Sequence, residues 1–471
     1  MFLDLAIEAA VGRAIPPFVD RILEFTETVA PRHEPREGMK VIRLARWDAM
    51  PTAAEQFLKG HDARLHDHVR ISSGGHSYEG RIMPAHRFSG EHVIVLKLAN
   101  GYNIGVSCED AELELLERAA PSPDVTVTAA SPPNDLPPLT VLGTGGTIAS
   151  YVDYQTGAVH PAKSAEELVA AVKDLANIAS IRADALLSLA SEDMQPDDWV
   201  KIATRVSELH AKDGNGVVIG HGTDTMTYTA AALAFQLPSL QAPVVLTGAQ
   251  RSSDRPSTDA HLNLAGAART ALTDLGEVAV AMHASPSDDF VAIWRGTRVR
   301  KAHSSRRDAF TAPNGGQLGS VGNTVEFDAE YRPVANETRL EAGFDPDVAL
   351  VWSHPALTAS DWEAVTAGKK GVVIAGTGLG HVGSHLHDAI RTTARDGVVA
   401  MTTQCLAGST NLNIYRNGRE LGEAGVVEAG DTLPETALVK LMWLLKHRPD
   451  SIAADIEENL AGELGTRRFL D

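Results

Sequence analysis

TVLGTGGTIAS (Thr140–Ser150) joins an apolar, β-branched run to a stop made of glycines and threonines, and a helix-like pattern follows. That order reads as a strand, a tight turn and a helix. The same unit recurs downstream. The apolar runs PLTVL, GVVIG, APVVLTG and VAVAMHA alternate with SAEELVAAVKDL, PDDWVKIATRVSELHAK and MTYTAAALAFQL. Nearly continuous apolar strands separated by helical segments predict a parallel sheet covered on both faces. Residues 139–335 are therefore read as a large α/β domain. A second set of runs, VALVWSHP, GVVIAGTGLG and GVVAMTT with the helix TALVKLMWLLKH, predicts a smaller α/β domain over 346–471. DAEYRPVANETRLEAGFD carries the connection between them.

Upstream the character changes. HVRISSGGHSYEGRIMPAHRFSGEHVIVLKLANGYNIGV alternates apolar and polar residues, with turn signals at Gly74-Gly75, Ser89-Gly90 and Asn100-Gly101. This predicts a small antiparallel β-barrel over 66–110. AELELLERA (Ala111–Ala119) reads as a short helix at the head of a linker, 111–138, in which six prolines fall between Pro121 and Pro138. Residues 1–65 form an N-terminal extension to which the sequence assigns no role. The fold class expected is thus α/β, with two parallel-sheet domains preceded by a small antiparallel barrel.

Composition excludes several functions. A formal net charge of −19 repels nucleic-acid phosphates, so extensive direct contact with RNA or DNA is disfavoured. Two cysteines, Cys108 and Cys405, are too few and too far apart for a disulfide framework and suit a cytoplasmic setting. The amino terminus places Asp4 and Glu8 before any basic residue, unlike a secretory signal. No apolar run approaches the roughly 18 residues of a membrane span. His61, His66 and His68 lack a companion cluster and read as surface residues, so no metal site is expected.

In open parallel sheets, ligands bind beyond the carboxyl ends of the strands. The stops are GTGGT (143–147), SLASEDM (188–194), GHGTDT (220–225), TGAQRSSDRPSTDAH (247–261), RGTRVRKAHSS (295–305) and GTGLGHVG (376–383), all polar and rich in glycine or hydroxyls. A dinucleotide loop would need a third glycine where Ile148 stands, and a Walker loop would need Gly-Lys-Ser/Thr. Glycines alone would serve a tight turn, but they leave Thr144 and Thr147 unexplained. Nucleophilic catalysis uses a hydroxyl with a base nearby. Thr147 at the turn is one such hydroxyl. Thr223 beside Asp224 is another, with helix capping as the alternative reading of that pair. Among the five basic residues of RGTRVRKAHSS, Lys301 is the one that could serve as a base, because arginine stays charged.

Taken together and in this order, TGGTIAS, SLASEDM, HGTDTM, TGAQR and Lys301 resemble the bacterial-type L-asparaginase/glutaminase family over about 139–471. SYEGRIMPAHRFSGEHVIVLKLANGYNIGV and VDYQTGAVHPAKS further resemble the archaeal-type glutamyl-tRNA(Gln) amidotransferase D subunits, which carry a small barrel before an asparaginase-like body.

The resemblance implies a threonine nucleophile, Thr147, and a second catalytic cluster of Thr223, Asp224 and Lys301. In that cluster Lys301 accepts a proton, Asp224 orients or balances it and Thr223 relays it. The implied substrate-binding residues are Ser191, Glu192, Gly146 and Gly222. Ser191 and Asp224 would hold the charged groups of a free amino acid, the substrate being L-glutamine. The resemblance also implies a partner, the amidotransferase E subunit, which would handle the charged tRNA, together with a homodimer. No cofactor would bind this chain, and ATP and Mg²⁺ would belong to the partner. The alternative is a stand-alone cytoplasmic L-asparaginase. Two departures stand out. Glu192 occupies a position where secreted members carry Gln, and Tyr151 and Tyr154 fall off the spacing of the family's loop tyrosine, so no group is assigned to activate Thr147.

Overall fold

The computed structural model describes residues 52–83, 90–98, 103–118, 136–145, 150–152, 159–161, 175, 177–251 and 258–465. The extension 1–51, most of the proline-rich linker and the helix expected over SAEELVAAVKDL lie outside the described residues.

The first unit of structure is a helix and a five-stranded antiparallel sheet. Helix α1 (Ala53–Gly60) precedes β1 (His68–Ser73), β2 (His76–Met83), β3 (Val93–Lys97), β4 (Asn103–Ser107) and β5 (Glu112–Glu117). The sheet order is β4-β3-β2-β1-β5. Alternation puts Val69, Ile71, Ile82, Ile94, Leu96 and Val106 into one small core, against which α1 packs Ala54, Phe57 and Leu58. Two sequence readings are corrected here. The stretch Glu112–Glu117, read as helix, is a strand: β5 pairs antiparallel with β1 through Leu113 and Leu115. ELELLE alternates with period two, and the partner strand β1 takes up its half-buried leucines. The barrel module accordingly runs past residue 110, into the stretch read as linker, and α1 extends it forward into the stretch read as an extension.

The large α/β domain follows, with β6 (Pro138–Gly145), a hairpin of β7 (Ser150–Val152) and β8 (Val159–Pro161), β9 (Ser180–Leu189), α2 (Pro196–Asp213), β10 (Val217–Gly220), α3 (Met226–Gln236), β11 (Val244–Thr247), α4 (Ala260–Thr270) and β12 (Val278–His283). Then come β13 (Val291–Arg295), β14 (Arg300–Lys301), β15 (Phe310–Thr311), β16 (Gln317–Val321) and β17 (Val325–Phe327). The eight-stranded sheet has the order β17-β16-β13-β12-β11-β10-β6-β9. β9, β6, β10, β11 and β12 are parallel, whereas β13, β16 and β17 add antiparallel strands at one edge. The local signals are plain at α2. Pro196 opens the helix, Asp198 and Gln195 form a capping box, and Gly214 closes it at φ 65°.

The smaller domain stacks β18 (Val348–Trp352), α5 (Ala359–Thr366), β19 (Gly371–Gly376), α6 (His387–Asp396), β20 (Val398–Thr403), α7 (Arg416–Glu423), β21 (Val426–Glu428), α8 (Pro434–His447) and α9 (Ile452–Glu457). Its four strands are all parallel, in sequence order. Each sheet has a core of its own on one face, and the two share a third core between them. One buried cluster runs from Leu142, Ile219 and Leu246 through Phe235 on α3 to Trp443 on α8 and Val373 on β19. Phe235 and Trp443 stack at 6.1 Å. Helices α3 and α8 thus form a shared apolar layer, and the carboxyl-terminal domain is packed against one face of the large sheet.

Candidate active site

The site is built where parallel strands end side by side. β6 and β10 pair in register, Gly143 opposite Gly220, so the threonine stop and the GHGTDT stop emerge together. Thr144 is buried and its hydroxyl donates to the Gly220 carbonyl at 2.9 Å, which ties the two stops. Gly145 pairs with Leu189 on β9, two residues before Ser191. Its φ of +109° and the Leu189 carbonyl 2.2 Å from where a Cβ would stand make it an obligate glycine. Gly146 and Thr147, the next two residues, lie outside the described residues.

Beyond β10, Gly222 is pressed against Ser191, because a Cβ at Gly222 would stand 2.6 Å from the Ser191 Cβ. The Thr225 hydroxyl donates to the Ser191 carbonyl at 2.7 Å and makes no capping bond, so helix capping does not explain this threonine. Ser191 is buried and Glu192 exposed, both in the single 3₁₀ turn Ser191–Asp193. Beneath the loop, His221 is wholly buried. Its Nδ1 lies 2.7 Å from the Gly222 carbonyl and its Nε2 2.9 Å from the Thr229 hydroxyl. Burial pushes its pKa down to about 4 against the pull of that carbonyl, so the ring is neutral. The carbonyl can only accept, so Nδ1 carries the proton and Nε2 accepts from Thr229.

Lys301 comes from a different part of the chain. β14 pairs with β15, Lys301 opposite Phe310, and carries the lysine to the sheet's carboxyl edge. Its Nζ donates to Thr223 Oγ1 at 2.8 Å and to Asp224 Oδ1 at 2.7 Å. The lysine side chain is 11% exposed and the aspartate 67%, so a shielded cation meets a solvent-facing carboxylate. An ammonium has only protons to give. Thr223 therefore accepts from it in this state, and the contact could carry a proton from Thr223 to Lys301 only once the amine had given one up. The arginines of the same stretch go elsewhere: Arg295 to Glu277, Arg298 to Asp431 and Arg300 to Glu435.

The structure thus brings together Thr223, Asp224 and Lys301, with Gly222 and Ser191 adjoining. The stop at 376–383 follows β19 in the second sheet and carries none of the named residues. Two supports went unread in the sequence. One is His221, which steadies Gly222. The other is Asp259, whose buried carboxylate accepts from the Gln250 and Arg251 amides and from Asn263, holding the loop after β11. Asp259 sat in the quoted stretch TGAQRSSDRPSTDAH, but nothing local marked it among its neighbours.

Parallel-sheet domains with a Thr–Asp–Lys cluster at the strand ends define the class as asparaginase-like. The models named Asparaginase, N-terminal and Glutaminase/Asparaginase C-terminal domain match residues 138–333 and 347–456. The thermostable L-asparaginase from Thermococcus kodakarensis superposes with a TM-score of 0.64 at 36% identity, over 70% of this chain and 100% of that one. A probable cytoplasmic L-asparaginase from Campylobacter jejuni does so at 0.57 and 29%, over 68% and 98%. These likenesses leave the front module unmatched. It matches the GatD N-terminal domain over residues 63–116. The glutamyl-tRNA(Gln) amidotransferase D subunit of Pyrococcus furiosus is 46% identical over 424 residues, 87% of this chain and 97% of that protein. Its counterpart from Thermococcus kodakarensis is 44% identical over 429 residues, 88% and 98%. The chain belongs to the family of glutamyl-tRNA(Gln) amidotransferase D subunits.

No helix among the described residues is long and apolar enough to cross a membrane.

Proposed function

We propose that this chain hydrolyses L-glutamine and supplies the ammonia that converts Glu-tRNA(Gln) to Gln-tRNA(Gln) on a partner, the amidotransferase E subunit. The observation that carries the reading is Lys301 bonded to both Thr223 and Asp224 at the mouth of β10. The barrel module, absent from the asparaginase likenesses, favours a tRNA-coupled protein over a stand-alone asparaginase.

In this reading the Thr147 hydroxyl attacks the side-chain amide carbon. The C–N bond breaks and ammonia leaves with a proton. Water then attacks the acyl-enzyme, releasing glutamate and restoring the threonine. Thr223 relays protons to and from Lys301, and Asp224 holds the lysine in register. Ser191 and Glu192, with the backbone of Gly146 and Gly222, receive the amino acid's charged groups, and the exposed Asp224 carboxylate faces its ammonium. An acidic chain has no need to grip tRNA itself. ATP and Mg²⁺ act on the partner, which activates the glutamate. Two copies of this chain pair as a homodimer in the cytoplasm.

The test is ammonia release from glutamine and from asparagine, with and without the E subunit and Glu-tRNA(Gln). Glutamine should be preferred, and release should rise with the full complex. Vigorous asparagine hydrolysis indifferent to partner and tRNA would replace this reading with a free asparaginase.

A further inference from the structure

The segment that delivers Lys301 is secured from both domains: in its own, β14 pairs with β15 and Arg298 donates to the Gly315 and Asn314 carbonyls, and further bonds cross to the other. Thr297 donates to the Ala461 carbonyl at 3.0 Å and accepts, through its own carbonyl, the Thr436 hydroxyl at 3.0 Å. Arg298 is buried, bonds the Glu463 carbonyl at 2.8 Å and pairs with Asp431 at 2.7 Å. Arg300 reaches Glu435 at 3.3 Å, on the first turn of α8. Glu435 is buried, and burial raises its pKa while Arg300 pulls the other way. Tyr228 on α3 senses both, since its phenol is pushed up by burial and then by Glu435 and drawn down by Arg300. Among the described residues, the buried Arg300 Nη1 has no hydrogen-bond partner. The guanidinium is therefore held through Glu435 rather than by a full set of bonds.

Arg300 and Lys301 are consecutive in β14, so their side chains leave opposite faces of the strand. Whatever draws one to its side turns the other to the opposite side. Here Arg300 is drawn to the α8 amino terminus, and Lys301 faces Thr223 and Asp224. The ladder with β15 and the buried Val299 and Arg298 help fix the roll of this two-residue strand, and Glu435 adds a pull on Arg300 from the α8 side.

We propose that Glu435 and Arg300 are positioning residues for Lys301: their largely shielded ion pair helps set the roll of β14 and makes the carboxyl-terminal domain part of the catalytic support. This rests on the reading of Lys301 as the proton acceptor. A misplacement of about 1 Å at a reacting group costs on the order of 100-fold, so the loss should fall on kcat, with KM nearly unchanged.

The experiment measures kcat and KM for glutamine and Tm, on the full chain with its partner, in four variants. Lys301→Met tests the underlying reading. Glu435→Gln removes the charge but keeps the shape. Arg300→Met/Glu435→Leu removes both charges, so no buried ion is left alone and folding is preserved. Thr270→Ala removes a buried hydrogen bond on α4, away from β14, and reports what lost stability alone does. We expect the double variant to keep its Tm near that of the parent yet lose kcat at least tenfold. Glu435→Gln should fall between, and Thr270→Ala should lower Tm with kcat intact. Parental kcat in the double variant, with Lys301→Met inactive, overturns the positioning alone. So does a kcat loss that simply tracks Tm across all variants. Hydrolysis surviving Lys301→Met overturns the catalytic reading and the positioning with it.

Discussion

At the scale of single residues the site depends on which protons are held where. Thr223 is in direct hydrogen-bond contact with Lys301, the contact along which the proposed relay would run. Thr223→Val, nearly the same shape without the hydroxyl, should cut glutamine hydrolysis by about 10²- to 10⁴-fold, the usual worth of a proton-transfer group. Circular dichroism should be unchanged, and retained turnover would remove Thr223 from the mechanism. Two buried histidines give a second prediction. His221 and His210 both have their pKa lowered by burial to about 4. An unfolded histidine binds its proton near pH 6.5 while these stay neutral, so acid favours the unfolded chain. Stability should be at its full value above pH 6.5 and fall as pH drops from 6.5 toward 4, by about 3 kcal/mol for each ring. Urea midpoints across that range check it, and His210→Gln should flatten the slope. A slope unchanged in His210→Gln would show that His210 does not stay neutral in the fold.

At the scale of elements, turns and strand ends carry the chemistry. β6 ends in a glycine that no other residue can replace without cost. Gly145→Ala forces a side chain onto the Leu189 carbonyl at positive φ and should cost about 1–3 kcal/mol. It should also depress hydrolysis, since β6 leads directly into the TGGT stop; an unchanged melting curve would contradict the strain. Element type was legible wherever the period was long. α2, α3 and α8 and the apolar strands could be read from the chain because their side chains repeat at 3.6 or run continuously apolar. β5 could not. Six residues with leucine at alternate and adjacent positions fit either period, and only pairing with β1 decided between them. The antiparallel edge of the large sheet was equally hidden, since direction depends on the path of the connection and not on composition.

At the scale of the whole molecule, the two α/β domains behave as one body around the α3–α8 layer. A buried pair, Lys440 with Glu463 at 2.7 Å, closes the carboxyl-terminal segment onto α8, and Lys440 also donates to the Ile456 and Glu458 carbonyls. Lys440→Met leaves the buried Glu463 charge without its ion partner, with only the Leu460 and Ala461 amides to hold it, and should destabilise by about 3–5 kcal/mol. Differential scanning calorimetry checks this, and a single cooperative transition for the two domains is expected. A loss below about 1 kcal/mol would mean that the segment is held by its backbone contacts alone. The sequence by itself determined the class of fold, the order of its modules and the residue types at the strand stops, because hydrophobic period and turn chemistry are local properties. It also singled out Lys301 among five basic residues on chemical grounds. The motif resemblance implied that Lys301 meets Thr223 and Asp224; the tertiary structure alone gave the geometry of that meeting and sent Arg298 and Arg300 to the other domain. Those partners stand far away along the chain, and no local pattern records which face of a two-residue strand will be drawn to them.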